Sequence, residues 1–405
     1  MLFESRYVSG KAAGQVALDL ALQRYPALVY GRNPAKGQLP PIFGFHSVRA
    51  EPFEALLRFL AENEYRTLSC DEYLDLQKNG VPPEATRSLL LTFDDGMGQV
   101  WSIAWPLLRK YGMHAVVFLI PGLIDDGEGV GPTLEDVWAG RSTLDEVESR
   151  DASESPLATW NEVRVMDESG VIDFQAHTLS HNLVFTDSQI RGYVHPKLVR
   201  SVHPNRLTMW EDRRSAYRVQ PRLGLPVYAA APRMSDSLHV PDDPELREVC
   251  TSFVVQNGGS RFFEADGWQE KLDRLVEEQR RKSMWKTRVE SEPESSEQRC
   301  DAIRRDLEET KATIEAKIPG KTVKHLAYPW GIGSEDAVRI SRELGYESNH
   351  WGRVAGRVAN FQGGDPFLLA RIGEDFVPLL RGRGRKTVWD VVRKKLRKNV
   401  GRWAT

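Results

Sequence analysis

The sequence predicts an α/β fold in which several short strands, alternating with helices, form a parallel barrel or a doubly wound sheet. Three observations predict it. Short, continuous apolar runs alternate with amphipathic segments of helical spacing. Strand, helix and strand follow one another with short links, as in a βαβ unit. Polar residues gather where the predicted strands end, which is where ligands bind in such folds.

The composition is that of an ordinary globular protein. Of the 405 residues, 40% are hydrophobic and 28% are charged, and the formal net charge is -2. This charge balance gives no reason to expect nucleic acid as a partner. Cys70, Cys250 and Cys300 lack C-x-x-C spacing, so neither a disulfide framework nor a thiolate zinc site is predicted, and a reducing compartment fits.

The N-terminus lacks the features of a signal peptide. No basic region is followed by an uninterrupted apolar core. No stretch approaches the ~20 apolar residues that a membrane-spanning helix needs. We therefore expect a cytoplasmic protein.

The chain divides into three predicted regions. Residues 1–39 form an N-terminal extension with a helix over 10–24, and residues 40–376 form the α/β domain. Repeated prolines and dense charge break the pattern at about 187–296, which we interpret as an insertion with one late helix over 268–285. Residues 377–405 form a basic C-terminal helix.

The elements before the insertion follow from apolar periodicity. The segment 125–156 is acidic and rich in Gly and Ser, which indicates a surface loop. Strands are predicted at 41–48, 89–93, 115–120 and 171–177, and helices at 51–62, 70–78, 100–110 and 160–169.

The pattern returns after the insertion. Helices are predicted at 297–317 and 334–344, and strands at 323–331, at 345–350 and at 367–376. The last of these strands carries Arg371.

The strand at 89–93 ends in two adjacent carboxylates, Asp94 and Asp95, followed by Gly96. A buried strand that delivers charge to its own end indicates a site, although Asp and Gly also favour simple turns. The later strand ends in His177, with His181 four residues on. Two imidazoles at this spacing are good ligands for a borderline-soft divalent ion, although the pattern alone is weak.

Three motifs, each at the end of a predicted strand, occur in this order: Thr92-Phe93-Asp94-Asp95-Gly96, His177-Thr178-Leu179-Ser180-His181 and Ala327-Tyr328-Pro329-Trp330-Gly331. Together they resemble the polysaccharide deacetylases of the NodB-homology type, carbohydrate esterase family 4. The resemblance covers roughly 40–182 and 297–376. It implies a distorted (β/α) barrel of the NodB-homology type, with a long insertion and additional terminal helices.

The resemblance also implies roles for residues of the motifs. Asp94 would be the general base, and Asp95, His177 and His181 would hold a divalent metal, most often zinc. Three protein ligands leave the metal open for water and a carbonyl oxygen. The backbone N–H of Trp330 would hold the oxyanion, in a substrate-binding loop that also contains Tyr328 and Pro329.

The sequence departs from the family pattern in two places. The late histidine expected to protonate the leaving amine is absent, since 373–405 contains no histidine. His350 and His46, at the ends of predicted strands, are the candidates for this role. Ala327 replaces an arginine that orients the base in many members, and we hypothesise that Arg371 takes over by pairing with Asp94.

The C-terminal segment is strongly basic. From Arg381 to Arg402 it carries ten Lys or Arg and one acid, Asp390. An apolar stripe at helical spacing lets this helix either contact an anionic membrane peripherally or pack on the barrel.

The sequence therefore predicts a metal-dependent hydrolase that removes the N-acetyl group from an N-acetylated sugar or polysaccharide in envelope or exopolysaccharide metabolism. Two alternatives remain at this point: a metal-dependent hydrolase of a non-sugar amide, and a catalytically silent glycan-binding relative. No G-x-S-x-G, P-loop or Rossmann motif is present. The glycan and the oligomeric state are left open.

Overall fold

The computed structural model describes residues 18, 20–150, 156–201, 222–284, 292–352, 359–391 and 393. The chain divides into two compact units. The larger unit contains the described residues up to Leu179, Leu307–Ile332 and the described residues from Ser341 onward. The smaller unit contains Ser180–Asp306 and Gly333–Ile340.

A parallel sheet forms the centre of the larger unit, and an antiparallel pair lies in the smaller one. In the parallel sheet the strands run in the order β10-β9-β8-β5-β4-β3-β1-β11, and β2 pairs with β3. The strands are β1 (Ile42–Phe45), β2 (Arg66–Thr67), β3 (Ser88–Phe93), β4 (Ala115–Leu119), β5 (Ile172–Ala176), β6 (Leu183–Tyr193), β7 (Pro226–Pro232), β8 (His325–Ala327), β9 (Ser348–Trp351), β10 (Leu369–Ala370) and β11 (Ile372–Gly373).

The two edges of the parallel sheet are joined by a single residue, Arg371. Strand β10 pairs with β9 at one edge, and β11 pairs with β1 at the other. Because β10 and β11 are consecutive in the chain, the sheet returns almost to its start and forms a nearly closed barrel. The predicted distorted (β/α) barrel is confirmed.

Helices cover the outside of the sheet, as parallel strands require. Helix α1 turns Phe53, Leu57 and Leu60 inward, and α2 begins with a capping box between Ser69 and Glu72. The helices are α1 (Ala50–Glu62), α2 (Cys70–Asn79), α3 (Trp105–Lys110), α4 (Leu134–Trp138), α5 (Leu144–Glu148), α6 (Trp160–Glu168), α7 (Pro196–Ser201), α8 (Pro244–Gln256), α9 (Trp268–Met284), α10 (Ser296–Lys317) and α11 (Glu335–Glu343).

Strands β3 and β4 are buried along their whole length. Their continuous apolar runs predicted this, because a strand covered on both faces has no polar side. The predicted strand at 367–376 is instead broken at Arg371. The predicted helix at 100–110 starts as a π-helical turn, Val100–Ala104, before α3. Pro106 lacks the N–H for a regular helical bond to Ser102, which accounts for this irregular start.

The smaller unit has a hydrophobic core of its own. Tyr193, Leu246, Cys250, Val254 and Leu272 pack together and are buried. Strands β6 and β7 pair antiparallel with a register shift. The described residues of the segment predicted as an insertion therefore have a hydrophobic core of their own.

Most of the predicted helix over 10–24 and the end of the predicted helix over 377–405 lie outside the described residues, which exclude 1–17, 19, 392 and 394–405. Within the described part, Leu18, Leu20 and Ala21 are helical, Glu374–Leu379 is a 3-10 helix, and helical conformation resumes at 388–391 and 393. None of the helices that the structure describes has the length and apolar character to span a bilayer.

Candidate active site

The motif residues of the larger unit meet at the carboxyl end of the barrel. Asp94 and Asp95 follow β3, His177 follows β5, and the Trp330 loop follows β8. Because these strands are parallel members of one sheet, their carboxyl ends lie at the same edge. The topology thus brings together residues that are distant in the sequence.

Asp95, His177 and His181 form one buried cluster. Their ligand atoms lie within 4.8 Å of one another, and Asp95 Oδ1 is 3.5 Å from His177 Nε2. The structure therefore places the three predicted metal ligands together.

The second nitrogen of His177 fixes the direction of its ring. Nδ1 lies 2.8 Å from the Ala327 carbonyl oxygen, which accepts a hydrogen bond from it. This bond sets the tautomer, so that Nε2 presents its lone pair towards Asp95. One carboxylate and two imidazoles form a donor set that fits a borderline-soft divalent cation such as zinc.

Asp94 has a different partner, Arg371. The two guanidinium nitrogens donate to Oδ1 at 2.6 Å and to Oδ2 at 2.9 Å, in a bidentate fork. Burial raises the pKa of Asp94, but the charge of Arg371, with smaller contributions from His177 and His46, outweighs burial and holds this pKa well below its usual range. Asp94 is therefore ionised at neutral pH.

The break between β10 and β11 positions Arg371. Its backbone N–H and its Nε both donate to the Trp351 carbonyl at 3.2 Å, and its side chain also donates to Thr92 Oγ1 at 3.2 Å. Thr92 in turn donates to the Phe43 carbonyl at 2.9 Å. The sequence does not predict this role of Thr92, although a hydroxyl within the apolar run of β3 is a signal for it.

The two candidate proton donors occupy very different places. His46 Nε2 lies 3.9 Å from Asp94 Oδ2, and its side chain is 63% exposed. His350 is 0% exposed and contacts Ser348 and Cys70 inside the barrel. Burial, and then the charge of Arg371, lowers the pKa of His350 well below its usual value. This placement argues against His350 as the donor to a substrate and favours His46.

The loop after β8 has an unusual backbone. Trp330 has φ 61°, and Gly331 has φ 66°. A Cβ on Gly331 would lie 2.5 Å from the backbone nitrogen of Gly352, so only glycine allows this close approach. Pro329 is buried within the same turn.

Tyr328 belongs to the core rather than to a substrate surface. It is fully buried, and its hydroxyl accepts a hydrogen bond from Asn349 Nδ2 at 2.7 Å. Burial raises its pKa above the usual value. The substrate-binding role that the sequence suggested for Tyr328 is therefore not supported by its position.

Backbone strain is concentrated at this site. Of the six non-glycine residues with positive φ in the described part of the chain, four lie in the motif loops: Asp95, Thr178, His181 and Trp330. Such conformations persist where the surrounding structure enforces them, and they cluster at functional sites. Positive φ at Asp95 and His181 was not predictable from their residue types.

Residues 82–204 match the family model described as polysaccharide deacetylase. This segment, which is less than a third of the chain, resembles the polysaccharide deacetylase family. The match includes the first two motifs, and the resemblance inferred from the sequence is confirmed.

Three bacterial proteins are among the curated relatives of this chain. YxkH of Bacillus subtilis (strain 168), named as a polysaccharide deacetylase, is 37% identical over 103 residues, which are 23% of this chain and 35% of that protein. The poly-beta-1,6-N-acetyl-D-glucosamine N-deacetylase of Escherichia coli (strain K12) is 28% identical over 33% of this chain and 18% of its own length. The enzyme of the same name from Staphylococcus aureus (strain MSSA476) is 27% identical over 34% and 39%. The matches thus span well under half the length of these relatives.

A solved structure shares the fold. The deacetylase domain of BpsB from Bordetella bronchiseptica superposes with a TM-score of 0.50 at 16% identity, over 84% of this chain and 98% of that one. At this identity the similarity bears on the fold alone.

Proposed function

We propose that this protein removes the N-acetyl group from an N-acetylated sugar or polysaccharide, and that Asp95, His177 and His181 hold a zinc ion. One observation supports the proposal most strongly. Asp94, which the bidentate contact with Arg371 keeps ionised, is followed in the chain by Asp95, a residue of the three-ligand cluster.

A divalent cation held by these ligands would supply Lewis-acid chemistry, acidifying water and polarising the substrate carbonyl. Two features of the structure support binding of such a cation. The His177–Ala327 hydrogen bond orients one ligand, and the burial of all three excludes competing solvent.

Asp94 then acts as the general base. Its two oxygens offer about four acceptor positions, of which the fork with Arg371 occupies two, so a water can donate to a remaining one. As the water oxygen bonds to the acetyl carbon, its proton passes to Asp94.

Two further groups complete the reaction. The N–H of Trp330, held by the strained turn, stabilises the negative charge that develops on the carbonyl oxygen. When the carbon–nitrogen bond breaks, His46 donates a proton to the departing amine. Its exposure and its distance of 3.9 Å from Asp94 suit a group at the opening of the site.

The substrate class is supported by the relatives named as poly-beta-1,6-N-acetyl-D-glucosamine N-deacetylases, which are 28% and 27% identical over 33% and 34% of this chain. We propose a polymer of N-acetylglucosamine in envelope or exopolysaccharide metabolism as the substrate.

The test is acetate release from N-acetylglucosamine oligomers, measured together with the free amines formed. We expect matched amounts of the two products, and a loss of about 10²–10⁴-fold in turnover for Asp94→Asn, since a positioned base contributes that much. An N-acetylated non-sugar amide serves as the comparison substrate. Equal release by Asp94→Asn, or hydrolysis of the non-sugar amide in place of the oligomers, would contradict the proposal.

A further inference from the structure

A second cluster of metal-ligating side chains lies inside the barrel, apart from the active site. Cys70 is the first residue of α2, His325 is the first residue of β8, and His350 lies within β9. Their ligand atoms all lie within 4.8 Å of one another, and all three residues are buried. The proposed deacetylation uses none of them.

The cluster belongs to a chain of polar contacts. Asp71 Oδ1 lies 3.3 Å from His325 Nε2, and His325 Nδ1 lies 2.9 Å from Ser348 Oγ. Ser348 Oγ is 3.1 Å from His350 Nε2, which is itself 3.7 Å from Cys70 Sγ. A thiol, a hydroxyl and two imidazoles therefore converge on one small volume.

Hydrogen bonding does not satisfy this cluster completely. Among the described residues, His350 Nδ1 is buried and has no hydrogen-bond partner. A buried polar atom without a partner is unfavourable, so natural cores keep few of them. A cation on the Nε2 side of the ring would not contact Nδ1; the support for a cation is that the ligand atoms of Cys70, His325 and His350 converge.

The charges around the cluster suit a dication. A Cys70 thiolate would balance one positive charge, and the carboxylate of Asp71, next to it in the chain, would share its charge between the cation and Lys324, whose Nζ lies 3.4 Å from it. The charge of Arg371 is already taken up by Asp94. Burial raises the pKa of the Cys70 thiol, so cation binding has to displace its proton, as at other thiolate sites.

The cluster also has its own route to solvent. A cleft of about 460 Å³ is lined by Ser69, Asp71, Asp173 and His325, among others. Asp173 and His325 stand at the amino-terminal starts of β5 and β8, so this cleft opens at the end of the barrel opposite to the active site. A cation can reach His325 and Asp71 without passing through that site.

We propose that Cys70, His325 and His350 form a second cation site for a borderline-soft divalent ion such as zinc. Thiolate and imidazole ligands select such ions. The site would tie α2 to β8 and β9. The His350 carbonyl accepts a hydrogen bond from Tyr328, and the Trp351 carbonyl accepts one from Arg371. Cation binding would therefore stiffen the strand that supports both active-site loops.

The experiment is a Co²⁺ titration of metal-free full-length protein, followed by absorbance. Only the proposed site contains sulfur, so only it gives a thiolate-to-cobalt charge-transfer band. We expect about two equivalents bound, one of them with this band. Cys70→Ser removes the band and one equivalent, whereas Asp95→Asn removes the other equivalent and leaves the band. Cys250→Ser, which changes a buried cysteine of the smaller unit, leaves both.

The wild-type spectrum decides the matter even if Cys70→Ser does not fold. Binding without a thiolate band, or a band that persists in Cys70→Ser, overturns the second site. If the wild type shows the thiolate band but Asp95→Asn removes no equivalent of cobalt, the assignment of the active-site ligands is contradicted instead. The two proposals therefore fail separately.

Discussion

Asp94 and Asp95 are neighbours in the sequence, but the structure gives them different partners. Asp94 continues the direction of β3 and meets the fork of Arg371. Asp95 adopts φ 71° and faces His177 instead. One carboxylate is therefore held ionised by an arginine, while the other is available to a cation. This separation underlies the proposed division between base and ligand.

Replacing Arg371 by methionine tests how Asp94 is kept ionised. Burial would then act without the opposing charge of Arg371, so the pKa of Asp94 would rise. We expect the acidic limb of the pH profile of kcat/KM to move to higher pH.

The same variant affects stability. In the wild type, the depressed pKa of Asp94 stabilises the fold at pH values above the pKa of an unfolded Asp, and this contribution is lost as the pH falls through the folded value. In Arg371→Met a buried carboxylate loses its partner, which costs about 3–5 kcal/mol at neutral pH. Urea denaturation measures this decrease in the free energy of unfolding. Arg342→Met, which breaks an exposed pair with Asp365, is the control and should cost less than about 1 kcal/mol. An unmoved acidic limb would contradict the role of Arg371.

His46 is tested by varying the leaving group. An amine needs a proton when it departs, whereas the phenolate of an activated aryl acetate does not. We expect His46→Gln to lower amide turnover by about 10²-fold or more, which is the lower range for a lost general acid, and to change aryl acetate hydrolysis much less. The exposure of His46 makes a folding defect an unsuitable explanation for such a difference. An equal decrease for both substrates would rule out His46 as the donor.

At the scale of elements, the site depends on close approach of the loops after β8 and β9. Gly331 and Gly352 are so close that a Cβ on Gly331 would lie 2.5 Å from a backbone nitrogen. The turn itself has positive φ at both Trp330 and Gly331. The position of the Trp330 N–H, which we propose stabilises the oxyanion, is therefore set by backbone packing rather than by a side chain.

Gly331→Ala should therefore lower kcat by about 10²-fold or more and change KM less. The reason is that the substitution would shift the Trp330 N–H away from the developing charge. Gly320→Ala is a matched control. Gly320 also has positive φ, at 79°, but nothing lies within 4 Å of its added Cβ. The control should lose about 1 kcal/mol of stability from backbone strain alone and keep its kcat. Comparable kinetics for the two variants would contradict the proposed role of the loop.

Much of the element pattern could be predicted from the sequence, and the exceptions have physical causes. The apolar runs predicted β3 and β4, because full burial leaves no polar face. The break at Arg371 could not be predicted, since barrel closure rather than a local breaker produces it. Strands β6 and β7 were missed because β7 begins and ends with proline and their pairing is irregular.

At the scale of the whole molecule, the barrel decides which distant residues become neighbours. Asp94 and Arg371 are 277 positions apart, and Cys70 and His350 are 280 apart. The first pair was predicted as a hypothesis, because Ala327 stands where many members of the resembled family have an arginine that orients the base. The second was not, because spacing rules for cysteine sites detect only ligands that are close in sequence. Cys70, His325 and His350 come from one helix and two strands.

The smaller unit adds a separate core to this architecture. Its cluster around Leu246, Cys250 and Leu272 is made only of residues from within the segment between β5 and α10. The sequence revealed its late helix but not this core, because the prolines and dense charge obscure the apolar spacing.

The central claim is that Asp95 holds a cation with His177 and His181, and that Asp94 is the base. It is tested most directly by measuring cation affinity and acetate release together in Asp94→Asn and Asp95→Asn, both in a Cys70→Ser background. We predict that Asp94→Asn binds zinc as tightly as its parent but releases acetate about 10²–10⁴-fold more slowly. Asp95→Asn should lose zinc binding. It should therefore also lose the increase of about 2.7 kcal/mol in the free energy of unfolding that zinc gives the parent at 100 times the parent's Kd. Zinc bound with undiminished affinity by Asp95→Asn, or acetate released at the parental rate by Asp94→Asn, would contradict the account.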